Sequence, residues 1–215
     1  MANTLDELTE LVRQLPGIGP RQARRLALFI VRKDKTWVKS FAHAMLQARS
    51  EVALCERCMR IFLASGQNTC PICANKAREG GTLMLVEKDV DLENIERTGV
   101  YRGLYFVLGG TTSVLDKKPE EKIRIQELER RLMSKVTPPD PTHDATLVGE
   151  ISEVIFALSA TTEGEDTASY LRERLARFVA EGIRITLLGR GLSTGTELEY
   201  VDADTMRNAL RGRTL

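Results

Sequence analysis

Residues 156–166 read FALSATTEGED: a short apolar run, the small residues Ser159 to Thr162, then Glu163, Gly164, Glu165 and Asp166. The apolar run suits the end of a buried strand. The acids suit the first turn of a following helix, where the helix dipole favours negative charge. Acids gathered at such a junction can also hold a divalent metal for phosphoryl transfer. Which reading applies depends on the rest of the chain.

Outward from this stretch the pattern is α/β. EVIFAL (153–158) reads as a strand, Glu163 to Glu181 as a helix and IRITLL (183–188) as another strand. Upstream, LMLV (83–86) and GLYFVL (103–108) read as strands separated by a helix over Asp89 to Thr98. A charged amphipathic helix is expected from Glu120 to Lys135, with Ile123, Ile125, Leu128 and Leu132 on its apolar side. VTPPDPTHDATLVG (136–149) reads as a Pro-rich surface loop, and the tail as a short strand and a final helix capped near Asp202. Strands alternating with helices imply a mostly parallel sheet covered on both faces.

Before Gly81 the character changes. Leu5, Leu8, Leu11, Val12 and Leu15 fall at helical spacing, and Pro16-Gly17-Ile18-Gly19-Pro20 ends that helix. A second helix runs from Pro20 to about Arg32, and a third, with Thr36 as its expected cap, continues to about Glu51. Residues 1–50 carry nine Lys/Arg against four Asp/Glu, whereas residues 81–215 carry eighteen against twenty-three. A basic end joined to an acidic remainder suits nucleic-acid binding joined to something else. The glycines of the turn can expose backbone N–H groups at a helix N-terminus, a seat for phosphate, and Arg21, Arg24 and Arg25 follow directly. Gly17, Ile18, Gly19, Arg21, Arg24 and Arg25 are therefore the candidate DNA-binding residues, with contacts to the backbone rather than to bases. The competing reading is an ordinary αα-hairpin with a solvated basic face.

Cys55-x2-Cys58 and Cys70-x2-Cys73, eleven residues apart, account for all four cysteines. Two such knuckles can present four thiolates tetrahedrally, which suits one structural Zn²⁺ per chain. Redox dithiols or buried free thiols are the alternative. No signal peptide is expected from MANTLDELTELV, and no apolar run reaches bilayer length, so a cytoplasmic protein with no membrane partner is expected.

LPGIGPRQARRLA (15–27), the four-cysteine motif, LVEKDVDLENIERTGVYRGLYFVLGG (85–110), EVIFALSATTEGEDTASYL (153–171), GRGLSTGTELEYVD (189–202) and the final ALRGR together resemble the RecR family of recombination mediators. The resemblance covers the whole chain. It implies an α+β multi-domain protein: a helix-hairpin-helix domain over 1–53, a zinc motif over 54–80, a Toprim-like α/β domain over 81–191 and an oligomerising strand–helix segment over 192–215. Catalytic Toprim domains pair a strand-end Glu with a separate Asp-x-Asp. Glu87 matches the first, but Ser159 and Thr161 stand where the two aspartates would, and hydroxyls bring no charge to a metal.

By resemblance the chain is a non-enzymatic, clamp-like protein of DNA repair. It would help load RecA onto single-stranded DNA coated by SSB, together with RecO and in some settings RecF, as a homodimer or a homotetrameric ring. Glu87, Glu163 and Glu165 would form the acidic surface for a partner, RecO first. The rival is a divergent Mg²⁺-dependent Toprim nuclease or topoisomerase using the same three acids; a zinc-ribbon adaptor that binds only protein is a third class. The chain departs from the family pattern at Phe106, in TTSVLDKKPEEK (111–122), and in an apparent insertion over 133–149.

Overall fold

The computed structural model describes residues 3–133, 151–189, 192 and 201–211. The chain divides into two compact units, one up to Val52 and one from Ala53 onward.

The first unit is helical: α1 (Thr4–Arg13), α2 (Pro20–Arg32) and α3 (Lys35–Glu51). The side chain of Asn3 accepts from Asp6 N–H and starts α1, while Pro20 fills the first turn of α2, where its missing N–H costs nothing. Val12 of α1 and Ala23 and Ala27 of α2 are buried, and the two alanines, one turn apart, let the helices approach closely. The cap of α3 is Asp34, which accepts from Trp37 N–H at 2.9 Å, not the expected Thr36.

The boundary between the units falls within β1 (Val52–Leu54), which pairs with β2 (Ile61–Leu63) in a two-stranded sheet, and a single turn α4 (Pro71–Ala74) follows. Then come β3 (Thr82–Val86), α5 (Asp89–Thr98), β4 (Leu104–Val107), α6 (Ile125–Met133), β5 (Glu153–Ala157), α7 (Thr162–Arg174), α8 (Ala176–Ala180), β6 (Arg184–Leu187) and α9 (Ala203–Arg211). The four longer strands form one parallel sheet in the order β4-β3-β5-β6, with Leu85 opposite Phe106 on one side and Phe156 on the other.

Because side chains alternate along a strand, the sheet has two cores. Leu83, Leu85, Phe106, Val154 and Phe156 pack with Ile125, Leu128 and Leu132 of α6, Ala168 and Leu171 of α7, and Phe178 of α8. Met84, Val86, Tyr105 and Val107 pack on the opposite face with Leu92 of α5 and with the four cysteines, Phe62 and Ile72. The cysteine motif thus covers part of a sheet face that in an α/β protein usually belongs to helices.

Two expected helices are interrupted. In place of one helix over Glu120–Lys135 there is a 3₁₀ turn at Pro119–Glu121 and then α6, because Arg124 N–H bonds Leu108 O at 2.9 Å and holds that segment along β4. The helix expected over Glu163–Glu181 breaks at Leu175, whose ψ of 3° ends α7 before α8. The Pro-rich loop with His143 and the strand expected in the tail lie outside the described residues, whereas Asp202 does cap α9, accepting from Thr205 N–H at 3.0 Å.

Candidate functional site

Between α1 and α2, Ile18 N–H bonds Leu15 O at 3.1 Å and closes the turn. Gly17 has φ +76°, a conformation that side chains rarely adopt, so a glycine is needed there for the fold. Gly19 differs: its backbone is extended and nothing lies within 4 Å of where a Cβ would be. Gly19 is the N-cap of α2, a position that favours glycine over alanine. The three arginines also separate. Arg24 donates to Asp6 Oδ1 at 2.9 Å and so ties α2 to α1. Arg21 and Arg25 are exposed and make no ion pair among the described residues.

Cys55, Cys58, Cys70 and Cys73 are all buried, and their sulfurs lie within 4.8 Å of one another. Cys58 Sγ and Cys70 Sγ are 3.6 Å apart, close to the ~3.8 Å edge of a tetrahedron with Zn–S bonds of about 2.3 Å. Cys70 N–H donates to Cys55 Sγ at 3.3 Å, a bond that strengthens with charge on the sulfur. The Cys58 thiol, and then those of Cys70 and Cys73, pull the Cys55 thiol far below its ordinary pKa, while the same contact raises that of Cys58. Four buried thiolates at these separations repel unless a cation lies among them, so the donor set fits a soft, tetrahedral metal ion. No other group of three or more His, Cys, Asp or Glu side chains converges in this way among the described residues.

The motif is fastened to the sheet by its carbonyls. Val107 N–H donates to Cys58 O at 2.8 Å, and Arg124 Nη1 donates to Met59 O at 2.8 Å and Val107 O at 3.3 Å. Met59 is the only non-glycine among the described residues with a positive φ, 59°. Arg131 donates to Arg57 O, and Ile61 N–H to Asp89 Oδ1 at 2.7 Å. Sequence reasoning did not single out Arg124; its signal was a lone cation between two buried residues, Ile123 and Ile125.

Glu87, Ser159 and Thr161 come together at the C-terminal ends of β3 and β5. Glu87 is 8 % exposed, and its Oε1 accepts from Ser159 N–H and Ser159 Oγ, both at 2.7 Å. Ser159 Oγ is 2.9 Å from Thr161 Oγ1, and Thr161 caps α7 by accepting from Gly164 N–H at 3.2 Å. Glu87, Ser159 and Thr161 therefore meet as one hydrogen-bonded chain, a carboxylate answered by two hydroxyls. Glu163 and Glu165 are exposed on the first turn of α7, and neither joins Glu87 in a metal-sized cluster. His43 is exposed on α3.

Gly164 explains how the junction is so tight. A Cβ there would lie 2.1 Å from Ser159 O, so only glycine lets α7 begin against the strand-end loop.

Three models of known families match the chain. A Toprim-domain model matches residues 81–189, a RecR helix-hairpin-helix model residues 5–49 and a RecR C-terminal model residues 191–214. The chain is 38 % identical over 211 residues to a protein named Recombination protein RecR from Chlorobium chlorochromatii, covering 98 % of this chain and 96 % of the relative. It is 39 % identical over 206 residues to the protein of that name from a Roseiflexus species, covering 96 % and 91 %. A Mesorhizobium japonicum protein of that name is 36 % identical over 210 residues, covering 98 % and 94 %. With a Toprim model over half its length and relatives alike from end to end, this chain belongs to the RecR family of recombination proteins.

Proposed function

We propose that the chain is a non-enzymatic, DNA-binding mediator of recombinational repair that helps load RecA onto SSB-coated single-stranded DNA with RecO, and in some settings RecF. The observation that carries the non-enzymatic part is the chain Glu87–Ser159–Thr161. Glu87, the one buried carboxylate among the described residues, spends an oxygen on Ser159, and Ser159 in turn meets Thr161, so the chain offers neutral hydroxyls instead of further charged metal ligands. Two-metal phosphoryl transfer needs several carboxylates around the ions, and Glu163 and Glu165 do not supply them at Glu87.

DNA binding is assigned to the hairpin: N–H groups at Gly17, Ile18 and Gly19 for a phosphate, Arg21 and Arg25 for backbone charge, and Arg24 as a support that also contributes charge. The four cysteines hold one Zn²⁺ with no open position, so the metal acts as a staple under the sheet. Glu163 and Glu165 form an acidic docking end for RecO, and Glu87 supports it from within by fixing Ser159. Assembly into a homodimer or tetrameric ring is favoured by α3, a 17-residue helix that buries none of its own side chains and leaves Phe41, Met45 and Leu46 exposed. No helix among the described residues is long and apolar enough to cross a membrane, in keeping with action in the cytoplasm on the nucleoid.

Mass measurement of the assembly with and without DNA tests binding and assembly together. A multimer that gains the mass of the DNA is expected; a monomer that ignores DNA at low salt would overturn the clamp. Against the enzyme reading, supercoiled DNA incubated with the protein and Mg²⁺ or Mn²⁺ stays intact, and cleavage or relaxation abolished by Glu87→Gln would reverse the assignment.

A further inference from the structure

The segment joining β4 to α6 carries two bare aliphatic side chains. Val114 is 79 % and Leu115 88 % exposed. The backbone carrying them is fixed on both sides. Thr112 N–H donates to the buried Thr167 Oγ1 of α7 at 2.9 Å, and Val114 N–H donates to Asp166 Oδ2 of the same helix at 3.1 Å. Asp116 Oδ2 accepts from Ser113 N–H at 2.7 Å and Thr112 Oγ1 at 3.1 Å, while Lys122 Nζ holds its other oxygen at 2.5 Å. Leu115 N–H turns back to Ser113 Oγ at 3.3 Å.

Isolated apolar side chains on a surface need no explanation, but a mobile loop would bury such a pair at a cost in order. Here six side-chain hydrogen bonds have already ordered the tip, so association against it orders no backbone. Its tether is Asp166, which directly follows the exposed Glu163 and Glu165 of the first turn of α7. The two aliphatic groups and the two exposed carboxylates are thus carried by one rigid junction.

We propose that Val114 and Leu115 are the apolar anchor of the acidic docking end, which takes a protein segment combining an apolar pocket with Lys or Arg side chains. Charge complementarity selects that occupant: Lys118 and Lys122 near the anchor are paired with Glu121 and Asp116, and Glu163 and Glu165 outnumber the remaining Lys117, so the end favours cationic over acidic surfaces. The anchor supplies the desolvated contact that a rim of charges alone does not. The proposal deepens the docking role assigned above to Glu163 and Glu165 and rests on it.

The test uses the full chain and RecO from the same organism. Val114→Ser/Leu115→Ser replaces two exposed side chains, so melting temperature and DNA affinity stay at the parent values. Affinity for RecO falls by about tenfold or more, as expected for withdrawing two buried aliphatic groups. Glu163→Gln/Glu165→Gln weakens the same complex and flattens its salt dependence. If the glutamate variant weakens binding and the aliphatic variant does not, the anchor is refuted while the acidic docking end survives. Parent protein that does not bind RecO refutes both. An aliphatic variant that instead loses its self-assembly mass shows the tip holding a second copy of the chain, which also overturns the proposal.

Discussion

Gly164→Ala should destabilise the α/β unit, although glycine to alanine within a helix normally stabilises. The new Cβ would lie 2.1 Å from Ser159 O, 2.7 Å from Ser159 Oγ and 2.9 Å from Ser159 C, where an ordinary contact is at least 3.4 Å. The obstacle is backbone, so α7 or the strand-end loop must move by about 1 Å, at the ~1–3 kcal/mol typical of overpacking. Moving Ser159 also stretches its two 2.7 Å bonds to the buried Glu87 carboxylate, and a hydrogen bond to a charged group is worth about 1.5–3 kcal/mol. Helix propensity returns at most about 1 kcal/mol. The net loss is about 2–4 kcal/mol, or about 4–16 °C in Tm for a chain of this size. Urea unfolding followed by two probes checks it. Trp37 is the only tryptophan and lies in the first unit, so its fluorescence transition should move little while the far-UV CD transition shifts to lower urea. A variant as stable as the parent, or more stable, would refute the close approach at the junction.

Metal analysis of the purified protein should read one zinc equivalent per chain. Cys70→Ser should lose the metal and destabilise the α/β unit, because the cysteines form part of a sheet core; a variant that stays folded and binds DNA normally would remove the staple role. Gly17→Ala should lower hairpin stability by about 1–2 kcal/mol through its positive φ, whereas Gly19→Ala, a change of N-cap residue with open space for its Cβ, should cost less stability and weaken DNA binding more; equal effects on both properties would contradict the phosphate seat. Arg78 makes a two-bond fork to Glu96 at 2.6 and 2.9 Å, and it holds the Glu96 carboxyl below its ordinary value of 4.5. The stability from that depressed value is fully present above the ordinary value and is lost as pH falls through the folded one. Glu96 is 34 % exposed, so the effect is about 1 kcal/mol, and Glu96→Gln should flatten the acid limb of the stability curve.

Much of the architecture is written in local pattern. Leu83, Leu85 and Val86 form a short apolar run that belongs to a strand buried on both faces, and the two CxxC pairs carry their ligand chemistry in their spacing. Legibility fails where tertiary contacts decide. The helix expected from Glu120 begins only at Ile125: Ile123 and Ile125 are two apart, strand-like spacing, and Arg124 between them turns away to the carbonyls of Met59 and Val107. That the cysteine motif roofs one face of the sheet cannot be read from spacing, since alternation along β3 and β4 says that both faces are covered but not by what. At the junction, the hydroxyls of Ser159 and Thr161 were visible in the sequence. The close fit of Gly164 against Ser159 O that holds them there was not.

The central claim is a hairpin that grips the nucleic-acid backbone without reading sequence. Its most direct test is the salt dependence of binding to single-stranded DNA, parent against Arg21→Ala/Arg25→Ala. Removing one phosphate interaction lowers the log–log slope by about 0.7 on single strands and about 0.9 on duplex. The double variant should therefore bind more weakly at low salt and show a slope shallower by about 1.4 on single strands, to the same extent on unrelated sequences. Binding indistinguishable from the parent at every salt concentration would contradict the account.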